Sequence, residues 1–227
     1  MQKLVHGIHH FQAKIFRPQR ERFEKLADGQ RPLAVFVTCS DSRVNPNLIT
    51  QTDPGDLFVI RNAGNIIPPH HPNPGGEEAT IEFAVTELKI RDIIVCGHTR
   101  CGAVTGLLHS DRLGAMPAVR SWLSHAEGTR RIIREKYEHL SEGALVNAAV
   151  QENVLVQLEN LRTHPAVADL LAKGTLKLHG WVYKIETGEV FAFAPKTGQF
   201  QPITEHCQPA ASATPLATPA LCAGHGA

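Results

Sequence analysis

The chain has 227 residues, of which 42% are hydrophobic and 20% are charged, and its formal net charge is +1. This composition is ordinary for a globular protein with a buried core, and the balanced charge argues against nucleic acid or a membrane as the main partner. The first sixteen residues lack the apolar run of a secretory signal, and no later stretch approaches the roughly eighteen apolar residues of a membrane span. We therefore predict a cytoplasmic protein.

The chain begins with a segment that has helical periodicity. Apolar residues recur there at spacings of four and three: Leu4, Ile8, Phe11 and Ile15. This spacing predicts an amphipathic helix over residues 1–16, and Pro18 should interrupt it before a second short helix around Phe23 and Leu26. We assign residues 1–30 to an N-terminal helical arm.

Three runs rich in apolar and β-branched residues follow: PLAVFVTC (32–39), DLFVIRNAG (56–64) and RDIIVCG (91–97). None alternates with polar residues, which is typical of strands buried on both faces of a parallel sheet. Residues 65–76 are rich in Pro and Gly and should form a loop, whereas residues 77–90 have helical periodicity.

The second half of the chain is mostly helical in pattern from Gly102 to about Lys173, and its longest predicted helix spans 144–162. The segments TLKLHGWVYKI and EVFAFAP flank a short turn and predict a hairpin. Strands that alternate with helices indicate an α/β domain with a mostly parallel sheet, which we place at 31–204. Residues 205–227 are rich in Ala, Pro and Thr and are predicted to be disordered.

In such sheets, ligands bind beyond the carboxyl ends of the strands. Cys39 ends the first strand, and His98 and Cys101 follow the third, so the three side chains can converge if these strands are neighbours. Two thiolates and one imidazole suit zinc, and three protein ligands leave the fourth position open, as in catalytic sites. The remaining cysteines lack this placement and are interpreted as non-ligands: Cys96, Cys207 and Cys222.

Asp41 and Arg43 lie in register with Cys39 if the chain remains extended, so they should point to the same side. A carboxylate near zinc can either take the fourth position or accept a hydrogen bond from a water and orient it. Both alternatives remain open. A neighbouring arginine would keep the carboxylate ionised through a fork-shaped contact.

These motifs together resemble the β-class carbonic anhydrases, particularly bacterial and cyanobacterial members of the plant-type branch. The resemblance runs from about residue 1 to residue 203. It includes CSDSR (39–43), GHTRCGAV (97–104), GDLFVIRNAGNIIPP (55–69) and LHGWVYKIETGEV (178–190). It implies one zinc per subunit on Cys39, His98 and Cys101, with Asp41 and Arg43 as the catalytic pair beside it. It also implies a four-stranded parallel sheet of order 2-1-3-4 with an antiparallel edge strand, flanked by helices.

The function implied by the resemblance is reversible hydration of carbon dioxide to bicarbonate and a proton by zinc-bound hydroxide. An obligate homodimer embraced by the N-terminal arms, associating further to a tetramer or larger, is implied as well. The resemblance assigns five residues to substrate binding: Gln30, Phe58, Ala63, Phe83 and Gly102. Phe83 stands where many members have tyrosine, and Ala63 where a larger aliphatic residue is common. Phe36 replaces the tryptophan that marks members with a regulatory bicarbonate site, so we expect no such site.

Three alternatives are compatible with the same residues. The same fold and metal site could hydrolyse carbonyl sulfide or carbon disulfide. Cys39 or Cys101 could be the nucleophile of a thiol enzyme, although a metal-bound thiolate is poorly free to attack. The protein could also be a catalytically silent zinc scaffold. The sequence leaves open whether the protein acts in free cytosol or inside a carboxysome, with a shell protein as a further partner.

Overall fold

The computed structural model of the protein describes residues 1–204, so the predicted tail at 205–227 lies outside the described residues. The centre of the fold is a six-stranded sheet of order β2-β1-β3-β4-β5-β6. The strands are β1 (Ala34–Cys39), β2 (Leu57–Asn62), β3 (Asp92–His98), β4 (Lys177–Tyr183), β5 (Val190–Ala194) and β6 (Gln199–Pro202). The first four in this order are parallel, which confirms the predicted arrangement 2-1-3-4.

The antiparallel part of the sheet has two strands, whereas one was predicted. β5 pairs with β4 as the expected hairpin, and β6 then pairs with β5 in a second antiparallel ladder. β6 is only four residues long, and its sequence QFQP contains a single apolar side chain besides proline. So short a run gives too weak an alternation for a strand to be recognised from sequence.

Nine α-helices surround the sheet in the described part of the chain. They are α1 (Gln2–His10), α2 (Arg20–Ala27), α3 (Pro46–Thr50), α4 (Gly76–Thr86), α5 (Gly102–Leu108), α6 (Pro117–Leu123), α7 (Glu127–Lys136), α8 (Glu142–Thr163) and α9 (Pro165–Ala172). The helices predicted at 77–90 and 144–162 correspond to α4 and α8, with boundaries shifted by one to four residues. Such shifts are ordinary because helix ends depend on local capping.

The prediction that all three early strands are buried on both faces is correct for β1 and β3 only. Every residue of β1 is buried, as are six of the seven residues of β3. In β2 only Ile60 is buried, because β2 is the edge strand of the sheet within one chain. Its apolar composition therefore indicates a surface that one chain leaves partly exposed.

The main core lies between the sheet and α8, which crosses β3 and β4 at close range. Gly97 of β3 and Gly180 of β4 make this possible, since a Cβ atom on either would lie 2.9 Å from the side chain of Val154. Such a distance is shorter than atoms tolerate, so any larger residue would push the helix away from the sheet. The close approach brings polar side chains of α8 beside the loop that follows β2.

The N-terminal arm is helical, as its periodicity predicts. α1 continues through a π-helical segment (Phe11–Phe16), and Pro18 lies in a 3₁₀ turn (Arg17–Gln19) before α2 begins. Neither α1 nor the π-helical segment contains a buried residue. Among the described residues, no helix combines the length and apolar character needed to cross a bilayer.

Candidate metal centre

The two neighbouring strands β1 and β3 end at the same edge of the sheet and place the predicted ligands there. Cys39 is the last residue of β1 and His98 the last of β3, and Cys101 immediately precedes α5. Between His98 and Cys101, Arg100 has a left-handed backbone with φ of 55°. This conformation lets the chain reverse, so that Cys101 returns toward His98. The two thiol sulfurs and an imidazole nitrogen lie within 4.8 Å of one another, and all three residues are buried.

The geometry of this group fits zinc. The sulfur atoms of Cys39 and Cys101 are 3.9 Å apart, close to the roughly 3.8 Å that a tetrahedral ion with Zn–S bonds of about 2.3 Å requires. The Nδ1 atom of His98 lies 2.9 Å from the carbonyl oxygen of Thr99, which places the ring proton on Nδ1. The Nε2 atom then carries a lone pair, and within the described residues it is buried without a hydrogen-bond partner.

The protonation of the two thiols also favours a cation. The hydrogen bond between the Cys39 and Cys101 sulfurs, together with one from the Gly64 amide, lowers the pKa of Cys39 to about 4 despite burial. The pKa of Cys101 is raised, first by its hydrogen bond to Cys39 and then by burial. A metal ion bound to both sulfurs would displace the proton that the hydrogen-bonded pair shares, because cysteine binds metal as the thiolate. Cys96 differs, because burial raises its pKa to about 12.

Asp41 and Arg43 form the fork-shaped contact expected of them. Arg43 donates from Nε to Oδ1 of Asp41 at 2.9 Å and from Nη2 to Oδ2 at 2.7 Å. This guanidinium holds the pKa of the Asp41 carboxyl well below its usual range. The Oδ2 atom lies 3.8 Å from Nε2 of His98, so the carboxylate faces the ligand set.

The extended chain predicted from Cys39 to Arg43 ends at Asp41, where a turn begins. The Val44 amide donates to the Asp41 carbonyl at 3.0 Å and closes a turn. A second bond from Arg43 Nη2 to the Arg100 carbonyl, at 3.1 Å, anchors the arginine to the loop between His98 and Cys101. The turn and this anchor fix Arg43, and its guanidinium holds the Asp41 carboxylate in place.

The five residues assigned to substrate binding come from four different parts of the chain. Phe58 of β2 is half-buried, and its ring lies 6.2 Å from that of Phe83 in α4, which is 48% exposed. Ala63 is exposed in the loop after β2, and Gly102 is the first residue of α5. Gln30 is exposed between α2 and β1, and within the described chain no hydrogen bond joins it to the ligand set.

Several residues that support the centre were not singled out from the sequence. Arg61 donates from its guanidinium to the carbonyl oxygens of Cys39, at 3.0 Å, and Asp41, at 2.8 Å. Thr99 donates its hydroxyl to Glu186 in the β4–β5 turn at 2.6 Å. A charged residue inside the apolar run of β2 was a usable signal for Arg61. Thr99 and Glu186 are far apart in sequence and gave none.

An α/β sheet with a Cys–His–Cys group at its carboxyl edge defines a protein with a candidate catalytic metal centre. Comparison with known proteins specifies the class. The carbonic anhydrase family model matches residues 34–190. A carbonic anhydrase of Synechocystis sp. is 52% identical over 194 residues, which cover 85% of this chain and 71% of that protein.

Solved structures agree with this match. The β-carbonic anhydrase CcaA superposes with a TM-score of 0.87 at 50% identity, covering 89% of this chain and 99% of that one. One of two tetrameric β-carbonic anhydrases from Sordaria macrospora superposes with a TM-score of 0.77 at 30% identity, covering 85% and 96%. The chain belongs to the β-class carbonic anhydrase family.

Proposed function

We propose that the protein catalyses the reversible hydration of carbon dioxide with one zinc ion per subunit, held by Cys39, His98 and Cys101. The observation that carries this proposal is the convergence of three buried ligand atoms within 4.8 Å beside an ionised carboxylate. When bound, zinc would lower the pKa of a water molecule and so supply a hydroxide nucleophile near neutral pH.

Asp41 and Arg43 would act on the attacking water. The Asp41 carboxylate has no proton to give at neutral pH, since Arg43 holds its pKa low, so it can only accept a hydrogen bond. An accepted bond would orient a lone pair of the water toward the substrate carbon. Arg43 keeps the carboxylate from rotating because both of its oxygens are engaged.

The substrate would lie between an apolar wall and two hydrogen-bond donors. Carbon dioxide is small and apolar, so Phe58, Phe83 and Ala63 are suited to hold it and to exclude competing water. The side-chain amide of Gln30 and the backbone N–H of Gly102 would stabilise the negative charge that grows on its oxygen. In one chain Gln30 is exposed and makes no hydrogen bond to the metal centre. We therefore propose that dimer formation brings Gln30 to the substrate.

The homodimer is supported by apolar surface that a single chain leaves exposed. The arm presents Leu4, Val5 and Ile8 to solvent, and the β2 edge presents Val59 and the neighbouring Phe83. Monomeric proteins rarely expose contiguous apolar patches larger than a few hundred Å². A second copy of the chain would cover both surfaces, and pairs of dimers would give a tetramer.

Metal analysis and a hydration assay on the same purified protein test the proposal. We expect about one zinc per chain, hydration that disappears with a strong chelator, and its return on adding zinc. Cys39→Ser should lose both zinc and activity, whereas Cys96→Ser, a matched change in the adjacent strand, should keep both. Full activity without metal, or turnover of carbonyl sulfide in preference to carbon dioxide, would overturn the assignment.

A further inference from the structure

The peptide unit between Ala63 and Gly64 lies against one of the candidate ligands. The Gly64 N–H donates to the sulfur of Cys39 at 3.4 Å. The carbonyl oxygen of the same peptide, that of Ala63, accepts a hydrogen bond from Trp122 Nε1 at 2.8 Å. The next carbonyl, that of Gly64, accepts from Asn153 Nδ2 at 3.0 Å. Side chains of α6 and α8 thus hold the backbone on both sides of the Gly64 Cα atom.

The backbone at Gly64 requires this support. Its φ is +86°, a conformation that other residues rarely adopt, and an added Cβ would lie 3.2 Å from Cβ of Ala103. Glycine is therefore needed here, but glycine is also the residue whose backbone is least restrained. Without external hydrogen bonds the peptide could rotate and withdraw its N–H from the sulfur.

Asn153 is itself fixed in place. It is 1% exposed, and its Oδ1 atom accepts from Gln157 Nε2 at 3.0 Å and from the Thr129 hydroxyl at 3.2 Å. Gln157 in turn accepts from the amide of Ile67, in the same loop, at 2.8 Å. A buried polar network with its hydrogen bonds satisfied is rigid, so α8 holds the loop in one position.

We propose that Trp122 and Asn153 are positioning residues for the metal centre, which hold the Gly64 N–H on the Cys39 sulfur. An N–H that points at a thiolate stabilises its negative charge and withdraws electron density from it. The two side chains act through the Gly64 backbone rather than on any ligand atom. The inference rests on the proposed function, because it presumes that Cys39 binds a metal ion.

Cobalt substitution tests this inference by a readout other than activity. In the Co²⁺-loaded protein, Trp122→Phe should move the sulfur-to-cobalt charge-transfer band to lower energy, since an unsupported thiolate gives up its electron more easily. Transfer of zinc to a chromogenic chelator should become about 3- to 10-fold faster, the range expected for one lost hydrogen bond. Trp181→Phe is the matched control; Trp181 packs on Phe36, away from this loop, and its replacement should change neither.

A second variant tests whether the two side chains act together. Asn153→Ala should shift the band in the same direction, and its combination with Trp122→Phe should change the transfer rate by less than the product of the single effects. An unchanged band and transfer rate in Trp122→Phe would overturn the inference while leaving the zinc site intact. A wild-type protein with no sulfur-to-cobalt band at all would instead refute the proposed ligand set, and the inference with it.

Discussion

The carboxyl edge of the sheet and the N-terminal arm differ in how far contacts within one chain bury their side chains. At the edge, Cys39 and His98 are buried, and each has a hydrogen bond from or to a backbone group of the same chain. On the arm, Leu4 is 63% exposed and Ile8 56% exposed, and α1 has no buried residue. One chain is therefore sufficient to arrange the ligands, whereas the arm has an apolar face that only another surface can cover.

The largest effect at the carboxyl edge is expected when the charge of Asp41 is removed and the proposed metal ligands are left unchanged. Asp41→Asn should keep zinc bound, because the three proposed ligands are unchanged, yet lower the turnover number by about 100-fold or more. This is the range expected when a group that orients the reacting water is lost. Stopped-flow carbon dioxide hydration, with zinc content measured on the same sample, checks both halves of the prediction.

A matched control is Asp169→Asn, which removes a carboxylate from an exposed ion pair with Lys173 and should leave turnover unchanged. The pH dependence gives a further check. Arg43 holds the pKa of Asp41 well below the usual value of about 4, so Asp41 is ionised throughout the neutral range. The wild-type pH–rate profile should then contain no step from titration of Asp41 between about pH 6 and pH 9. A variant with full activity would refute the role of Asp41.

The arm can be tested by making its exposed face polar. Leu4 and Ile8 lie one helical turn apart, and burial of each against a partner is worth roughly 1.5 to 3 kcal/mol. Leu4→Ser combined with Ile8→Ser should weaken dimer association by at least about 100-fold, as measured by sedimentation equilibrium over a range of concentrations. The metal content of each chain should be unaffected, because the ligands belong to one chain.

The control for the arm uses two exposed histidines at the same spacing on the same helix. His6→Ser combined with His10→Ser changes polar surface only and should leave the association constant near that of the wild type. A wild-type protein that is monomeric at micromolar concentration would show that the arm does not bind a second copy of the chain.

The convergence of Cys39, His98 and Cys101 was predictable from local patterns, whereas the sheet order was implied by the family resemblance. Apolar runs identify parallel strands, and parallel neighbours end at the same edge. Two features were missed for physical reasons. β2 is an edge strand, and its apolar composition could not distinguish a core within one chain from a surface for another. Arg43 is placed against Asp41 by a turn, which strand alternation does not describe.

The supporting hydrogen bonds were not predictable from the sequence. Trp122 is 59 residues from its partner Ala63 in the sequence, and Asn153 is 89 residues from Gly64. Thr99 and Glu186 are 87 residues apart. No spacing rule relates such positions, because their contact depends on how helices and turns pack against the finished sheet. The ligand types and their strand-end placement, by contrast, carry a local signal.

The smallest expected effect concerns the turn that supports His98. The Thr99 hydroxyl donates to Glu186 and accepts from the Ile185 amide at 3.1 Å, and the Thr99 carbonyl accepts from His98. Because Glu186 is exposed, removing it should cost little: Glu186→Ala should speed zinc transfer to a chelator by about 2- to 5-fold. Glu186→Gln, which keeps an acceptor oxygen, should restore most of the difference.

Glu189→Ala is the matched control for this turn, because Glu189 lies in the same hairpin and accepts from Thr187 rather than Thr99. If it speeds transfer as much as Glu186→Ala does, the effect belongs to the stability of the hairpin and not to the support of His98. A faster zinc transfer in Glu186→Ala alone would instead show that even an exposed carboxylate helps to retain the metal ion. The contrast with the arm would then be sharper, since the ligands would depend on contacts made entirely within one chain.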